Sequence, residues 1–102
     1  MKKIINGKIY NTDTATRIGN RQHSNQGDFR YEDTDLYRTP KGAFFVQGTG
    51  GAYSRWSRPC GSNGQCGGSG IQVLTTAEAL AWCEDAGIDA DTIAQYFSVE
   101  EA

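Results

Sequence analysis

The sequence predicts an α+β fold: a small antiparallel sheet, built from an N-terminal hairpin plus central strands, with a short N-terminal helix and two C-terminal helices. Three local signals carry this expectation. Asn6-Gly7 separates two β-branched runs, Pro40 and Gly42 separate a Tyr-rich from a Phe-rich run, and Thr75-Thr76-Ala77-Glu78 opens a helical pattern.

Taken in order, residues 2–5 and 8–10 pair across Asn6-Gly7, because a type I′ turn needs positive φ at both central positions and Asn-Gly tolerates it best. Thr12 or Asp13 is placed to cap a short helix running to about Ile18, with Gly19 as its C′ residue. Residues 20–28 are polar and nearly free of apolar anchors, the pattern of an exposed loop. Residues 29–38 and 43–47 read as two strands joined by Thr39-Pro40-Lys41-Gly42, where proline presets φ and glycine closes the turn. Gly48-Thr49-Gly50-Gly51 breaks the second strand, and residues 52–57 form a third, short one.

The glycine-rich residues 59–70 read as a mobile or tightly turned loop. Residues 71–74 return as a strand. Thr75 is the N-cap and Glu78 the third helical residue of a capping box, so a helix runs to about Ala86 and ends at Gly87. Asp89 caps a last helix through about Phe97, in which Ile93 and Phe97 share a face.

A chain of 102 residues has room for one domain with a modest core. Its 37% apolar and 11% aromatic content is enough to fold. Met-Lys-Lys begins like a signal peptide, but no apolar run of signal length follows, and no stretch nears the roughly 18 apolar residues of a membrane span. Three cysteines make a poor disulfide framework. These features together predict a single cytoplasmic domain, residues 1–102.

Charge is segregated. All ten basic residues lie at or before Arg58, against five acidic ones there. After it stand only Glu78, Glu84, Asp85, Asp89, Asp91, Glu100 and Glu101, so a net charge of −2 conceals a bipolar molecule. Such asymmetry favours a macromolecular partner over a reaction.

The candidate chemistry is thin. Cys60, Cys66, Cys83 and His23 offer a donor set for zinc, but five residues between Cys60 and Cys66 fit no recognised knuckle. A Cys60–Cys66 disulfide is feasible across the loop, though a reducing cytoplasm opposes it, and Cys83 falls on the helix as a buried thiol. Gly48–Gly51 lacks the following helix and the Lys-Ser/Thr pair of a phosphate loop. No catalytic residue, metal or cofactor is therefore expected.

Binding is better represented. In a strand, Tyr53 and Arg55 share one face while Trp56 and Arg58 share the other. Aromatic and arginine side chains are frequent hot spots at protein interfaces and also suit nucleic acid. Glu84 and Asp85 occupy the last turn of a helix, where negative charge opposes the dipole, whereas Asp91 near a helix start suits it. These acids present a carboxylate surface to an Arg/Lys-rich partner.

The run Lys3-Ile4-Ile5-Asn6-Gly7-Lys8-Ile9-Tyr10-Asn11-Thr12-Asp13-Thr14-Ala15 resembles the opening of a group of small proteins carried by bacteria, their phages and mobile elements. Leu36-Tyr37-Arg38-Thr39-Pro40-Lys41-Gly42-Ala43-Phe44-Phe45, leading into Gly48-Thr49-Gly50-Gly51-Ala52, and Leu74-Thr75-Thr76-Ala77-Glu78-Ala79 fit the same group. Small acidic proteins in that setting include inhibitors of bacterial defence, anti-CRISPR proteins among them. The resemblance implies a non-enzymatic inhibitor whose partner is a bacterial protein such as a CRISPR–Cas effector subunit. Tyr53, Arg55, Trp56, Arg58, Glu84, Asp85 and Asp91 are the expected partner-binding residues. A nucleic-acid module using the basic sheet half and a zinc-stabilised domain are the alternatives.

Overall fold

Apolar residues 44, 45 and 46 run consecutively, which marks a strand buried on both faces, and the whole architecture is arranged around them. The computed structural model describes residues 1–24, 27–61 and 64–102. Its elements are β1 (Lys2–Ile5), β2 (Lys8–Asn11), β3 (Thr16–His23), β4 (Glu32–Arg38), β5 (Phe44–Gly50), β6 (Arg58–Cys60), β7 (Gly64–Cys66), β8 (Gly68–Leu74), α1 (Thr76–Asp85) and α2 (Ala90–Tyr96). A four-stranded antiparallel sheet in the order β3-β4-β5-β8 is flanked by two hairpins, β1-β2 and β6-β7.

Register assigns the faces. Leu36 pairs with Val46 and Val46 with Gln72, while Tyr37 pairs with Phe45 and Phe45 with Val73. Side chains alternate across a strand, so Leu36, Phe44 and Val46 face the helices. They pack there with Ile18, Trp56, Ala79, Trp82, Cys83 and Phe97. The Phe44 and Phe97 rings stack with centroids 4.8 Å apart. On the opposite face Phe45 and Ile71 pack beneath Tyr10 of the N-terminal hairpin, with Ile5, Ala15, Tyr37 and Ala43 around them. Phe45 meets Tyr10 edge-on and stacks on Tyr37. Both layers close on β5, and Phe45 and Val46 are fully buried.

This molecule is mainly β, with three sheets and both described helices at the C-terminal end, so the α+β expectation of one small sheet with an N-terminal and two C-terminal helices is corrected. The predicted helix from residue 12 to 18 does not form. Asn11 instead organises a turn, its Oδ1 accepting from Asp13 N–H at 2.9 Å and its carbonyl accepting from Ala15 N–H at 3.1 Å. Thr16 then enters β3, and a bulge between Arg17 and Gly19 re-phases that strand. Thr14, Thr16 and Ile18 are β-branched and the candidate helix was barely two turns long, so pairing with β4 wins.

The expected loop at residues 20–28 is strand through His23; its positions 25–26 lie outside the described residues. The expected break at Gly48 is absent, since β5 runs on to Gly50, and the expected third strand at residues 52–57 is a series of turns. The segment expected as a loop at residues 59–70 contains β6, β7 and the start of β8, with positions 62–63 outside the described residues.

Other local signals are realised. Asn6 and Gly7 have φ of 53° and 76°, as the hairpin turn requires. Thr75 and Glu78 form the reciprocal capping box, and Gly87 has φ 72° just past α1. Asp89 caps α2. No described helix is long and apolar enough to cross a membrane.

Trp56 closes the helix-side core at its open end. Its indole lies over Gly48 and Gly70, and its Nε1–H donates to Thr34 Oγ1 at 2.9 Å. A Cβ on Gly48 would collide with three atoms of that rigid, buried ring, whereas one on Gly19 would collide with the movable tip of Ile88. Gly48→Ala is therefore expected to cost about 2–3 kcal/mol, the upper part of the range for overpacking a filled core. Gly19→Ala should cost less than half as much. Chemical denaturation of both variants measures the difference, and equal losses would show that the indole yields as easily as Ile88.

Candidate functional site

Two poles of opposite charge emerge from the fold, and each begins with its local backbone. The basic pole sits where the β3–β4 and β5–β6 connections meet. Ser54 N–H and Ser54 Oγ–H both donate to Gly51 O, at 3.1 and 2.9 Å, and Ser57 N–H donates to Ser54 O at 3.1 Å. These turns replace the strand alternation expected for residues 53–58. Tyr53 N–H donates to Phe29 O at 2.8 Å, holding the two connections together. Their rings meet edge to face with centroids 5.7 Å apart, although Tyr53 is 71% and Phe29 66% exposed.

Of the four predicted residues in this segment, Tyr53, Arg55 and Arg58 are on the surface. Trp56 is not. It is buried in the core, so its place among partner-contacting residues is corrected. Arg55 lies on the outer face of the indole, 4.9 Å from the ring centroid, and its guanidinium bonds Gln72 Oε1. Arg58 Nε donates to Gly67 O at 3.3 Å. Beyond it, Cys60 and Cys66 are joined by a disulfide that closes the β6–β7 hairpin. Neither belongs to a core cluster. Chain-entropy reasoning puts the bridge at about 2 kcal/mol for so short a loop.

In the sequence Phe29 opens a strand pattern and stands outside the expected site residues. Its flanking Gly27 and Asp28 are turn formers, which was the available signal for an aromatic side chain turned outward. Asp28 accepts from Ser24 Oγ at 2.6 Å and from Arg30 N–H at 2.8 Å. Those bonds, the Ser24 one foremost, hold its carboxyl below the ordinary value.

The acidic pole lies along α1. Leu74, Ala81 and Trp82 line an open groove of about 520 Å³ together with Glu78, Glu84, Asp85 and Arg21. Arg21 reaches over from β3, its Nη1 2.9 Å from Asp85 Oδ2. That pair offsets the unfavourable position of Asp85 in a last helical turn that has no basic residue of its own. Glu78, Glu84 and Asp85 are thus brought together, and Glu84 has no ion pair among the described residues. Asp91 stands apart, exposed on α2.

Two other constellations resolve structurally. Asn20 Nδ2 donates to Asp33 Oδ1 at 2.5 Å and to Asp35 Oδ1 at 2.8 Å, and Arg17 Nε lies 3.2 Å from Asp35 Oδ1. These carboxylates tie β3 to β4. The zinc donor set is dispersed: Cys60 and Cys66 bond each other, Cys83 is buried within α1, and His23 is exposed at the end of β3. Among the described residues no group of His, Cys, Asp and Glu is arranged to hold a metal ion. Comparisons with protein-family models, curated proteins and solved structures return no match for this chain.

Burial, reinforced by the Glu84 charge, pushes the Cys83 thiol above its ordinary value. Thiol titration of the native protein without reductant is therefore expected to find no fast-reacting group. Unfolding should reveal one thiol, and unfolding with reductant all three. A fast native thiol would place Cys83 outside the core.

Acid should weaken the helix caps. Hydrogen bonds from Thr75 lower the Glu78 carboxyl from 4.5, and those from Thr92, its hydroxyl foremost, lower Asp89 from 3.8. A lowered folded value means stabilisation that is complete above the ordinary value and is lost as pH falls through the lowered one. Helical circular dichroism should therefore decline as pH drops below about 4. Asp89→Asn, which caps without titrating, should reduce that decline; an unchanged profile would remove Asp89 as a cause.

Proposed function

We propose that this protein works by binding, without chemistry of its own, and that the groove along α1 is its docking surface. The observation that carries this reading is the groove's composition: an apolar floor of Leu74, Ala81 and Trp82 rimmed by Glu78, Glu84 and Asp85, with a single basic residue, Arg21, paired to Asp85. An apolar floor supplies contact area, and a carboxylate rim selects an Arg/Lys-bearing partner and speeds its approach. Surfaces of that kind on a partner are those that bind nucleic acid. The protein then acts as an inhibitor that occupies such a surface on a bacterial effector, in the manner of an anti-CRISPR protein. A cytoplasmic setting is compatible with the fold, because the disulfide ties only an exposed hairpin and the two core clusters do not use it.

The basic pole favours a second reading. Phe29 and Tyr53, exposed and flanked by Arg30, Arg55 and Arg58, combine a base-stacking platform with phosphate-binding cations.

One pair of titrations separates the two. In the first, the protein is added to a purified CRISPR effector–guide complex binding labelled target DNA. Loss of DNA binding is expected, and Glu84→Lys with Asp85→Lys should weaken inhibition at least about tenfold. In the second, the protein alone is titrated onto single-stranded DNA at low and moderate salt. A steeply salt-dependent shift, abolished by Tyr53→Ala and Arg55→Ala, would favour the nucleic-acid reading. Undiminished effector activity, or inhibition insensitive to the charge reversal, would overturn the acidic-groove reading.

A further inference from the structure

The two edges of the central sheet are built differently. Backbone bonds flanking the β4–β5 ladder fix which groups point outward. Thr39 N–H donates to Ala43 O and Gly51 N–H to Tyr31 O, both at 2.8 Å. Hydrogen-bonded pairs alternate along an antiparallel ladder, so the odd-numbered residues of β5 bond β4 and the even-numbered ones bond β8. In β8 the even positions are thereby used, and Ser69, Ile71 and Val73 direct their N–H and C=O away from the sheet. Among the described residues no hydrogen bond reaches those six groups.

Edge strands are usually blunted by charge, proline or a bulge. The β3 edge has all but the proline: Arg17 and Arg21 lie on it, and the bulge falls between Arg17 and Gly19. The β8 edge has none. Its sequence, Gly-Ser-Gly-Ile-Gln-Val-Leu, carries no charge and no proline, and Val73 is 37% exposed.

We infer that β8 pairs antiparallel with β8 of a second copy of this chain, about a two-fold axis at Ile71, joining two four-stranded sheets into one of eight. The neutral strand is compatible with itself, because no like charges meet across it. In this register Ser69 lies opposite Val73 of the other copy, and Gly68 opposite its Leu74. Arg58 runs beside Gly68, its Cγ and Cδ within 3.6 Å of where a Cβ would be. It therefore comes to the start of the other copy's α1, where Glu78 sits in the first turn. The two-fold repeats this Arg58–Glu78 apposition at the other end of the seam, a complementarity the segregated charge makes possible. Glu84 and Asp85 lie at the far end of α1, toward Arg21 of β3, so the seam leaves them accessible, although it shares Leu74 and Glu78 with the groove.

Sedimentation velocity from about 5 µM to about 1 mM tests the inference. A species of twice 11.1 kDa is expected to grow with concentration. Amide exchange at Ser69, Ile71 and Val73 should slow with it. Ser69→Pro removes an outward N–H without touching the β5 ladder, and Val73→Lys places charge on the seam. Each should weaken association at least about tenfold. Arg58→Glu should weaken it about fivefold at low salt, and Gln22→Lys on the β3 edge should leave it unchanged. Retained amide protection at Phe45 and Val46 certifies that a variant is folded, and the wild-type exchange data decide the question should a variant unfold. A monomer throughout, concentration-independent exchange at the three amides, or a dimer lost only in Gln22→Lys would overturn the inference.

Discussion

The fold depends on one side chain laid against bare backbone. Trp56 rests over Gly48 and Gly70 and donates its indole N–H to Thr34, which in turn donates to Glu32. Neighbouring positions on three strands, β4, β5 and β8, are thereby covered by a residue that belongs to none of them. The arrangement requires glycine at position 48, where a Cβ would collide with the ring, and a hydroxyl at position 34, while Gly70 lies at ordinary contact distance beneath the ring. Burying an indole is among the larger single contributions a small core can obtain, and a buried N–H without its acceptor would cost about 1–3 kcal/mol. Because Trp56 is pinned, the turns before it and the hairpin after it are placed as well. Tyr53, Arg55, Arg58 and the disulfide-closed loop inherit their positions from it.

The same packing explains how charge segregated in sequence becomes arranged in space. The chain reaches Trp56 carrying all but one of its basic residues, passes through the hairpin, and returns along β8 into two acidic helices. Those helices cover one face of a sheet whose first strand bears Arg21, so Arg21 and Asp85 meet although 64 positions separate them. The poles are bridged at that point and remain separate elsewhere. What is left at the acidic end is Glu78 and Glu84 around an apolar floor. At the basic end it is an exposed aromatic pair among arginines.

The readable parts of the sequence were those whose conformation is decided locally. Asn6-Gly7, Pro40 with Gly42, the Thr75–Glu78 box and Asp89 each act within four residues, and each is found as expected. The unreadable parts are held by distant partners. Nothing in Thr-Arg-Ile-Gly-Asn-Arg-Gln-His alternates as a strand should, yet β3 forms because Asn20 bonds Asp33 and Asp35 and because a bulge returns Gly19 to Leu36. The glycines of β8 look like a loop until Gly68 is seen against the Trp56 carbonyl, where a Cβ would collide. The site divides in the same way. Glu84 and Asp85 stand out in the sequence by their unfavourable place at a helix end, whereas the burial of Trp56 and the exposure of Phe29 are decided by turns that the residue pattern does not show.

A double-mutant cycle on Trp56 and Thr34 tests the central constraint most directly. Trp56→Phe removes the donor and Thr34→Val the acceptor, and each alone is expected to lose about 1–3 kcal/mol of unfolding free energy. If the bond organises this end of the core, the double variant loses no more than the worse single one, giving a coupling of about 1 kcal/mol or more. Strictly additive losses would contradict it, since the two side chains would then stabilise the fold independently.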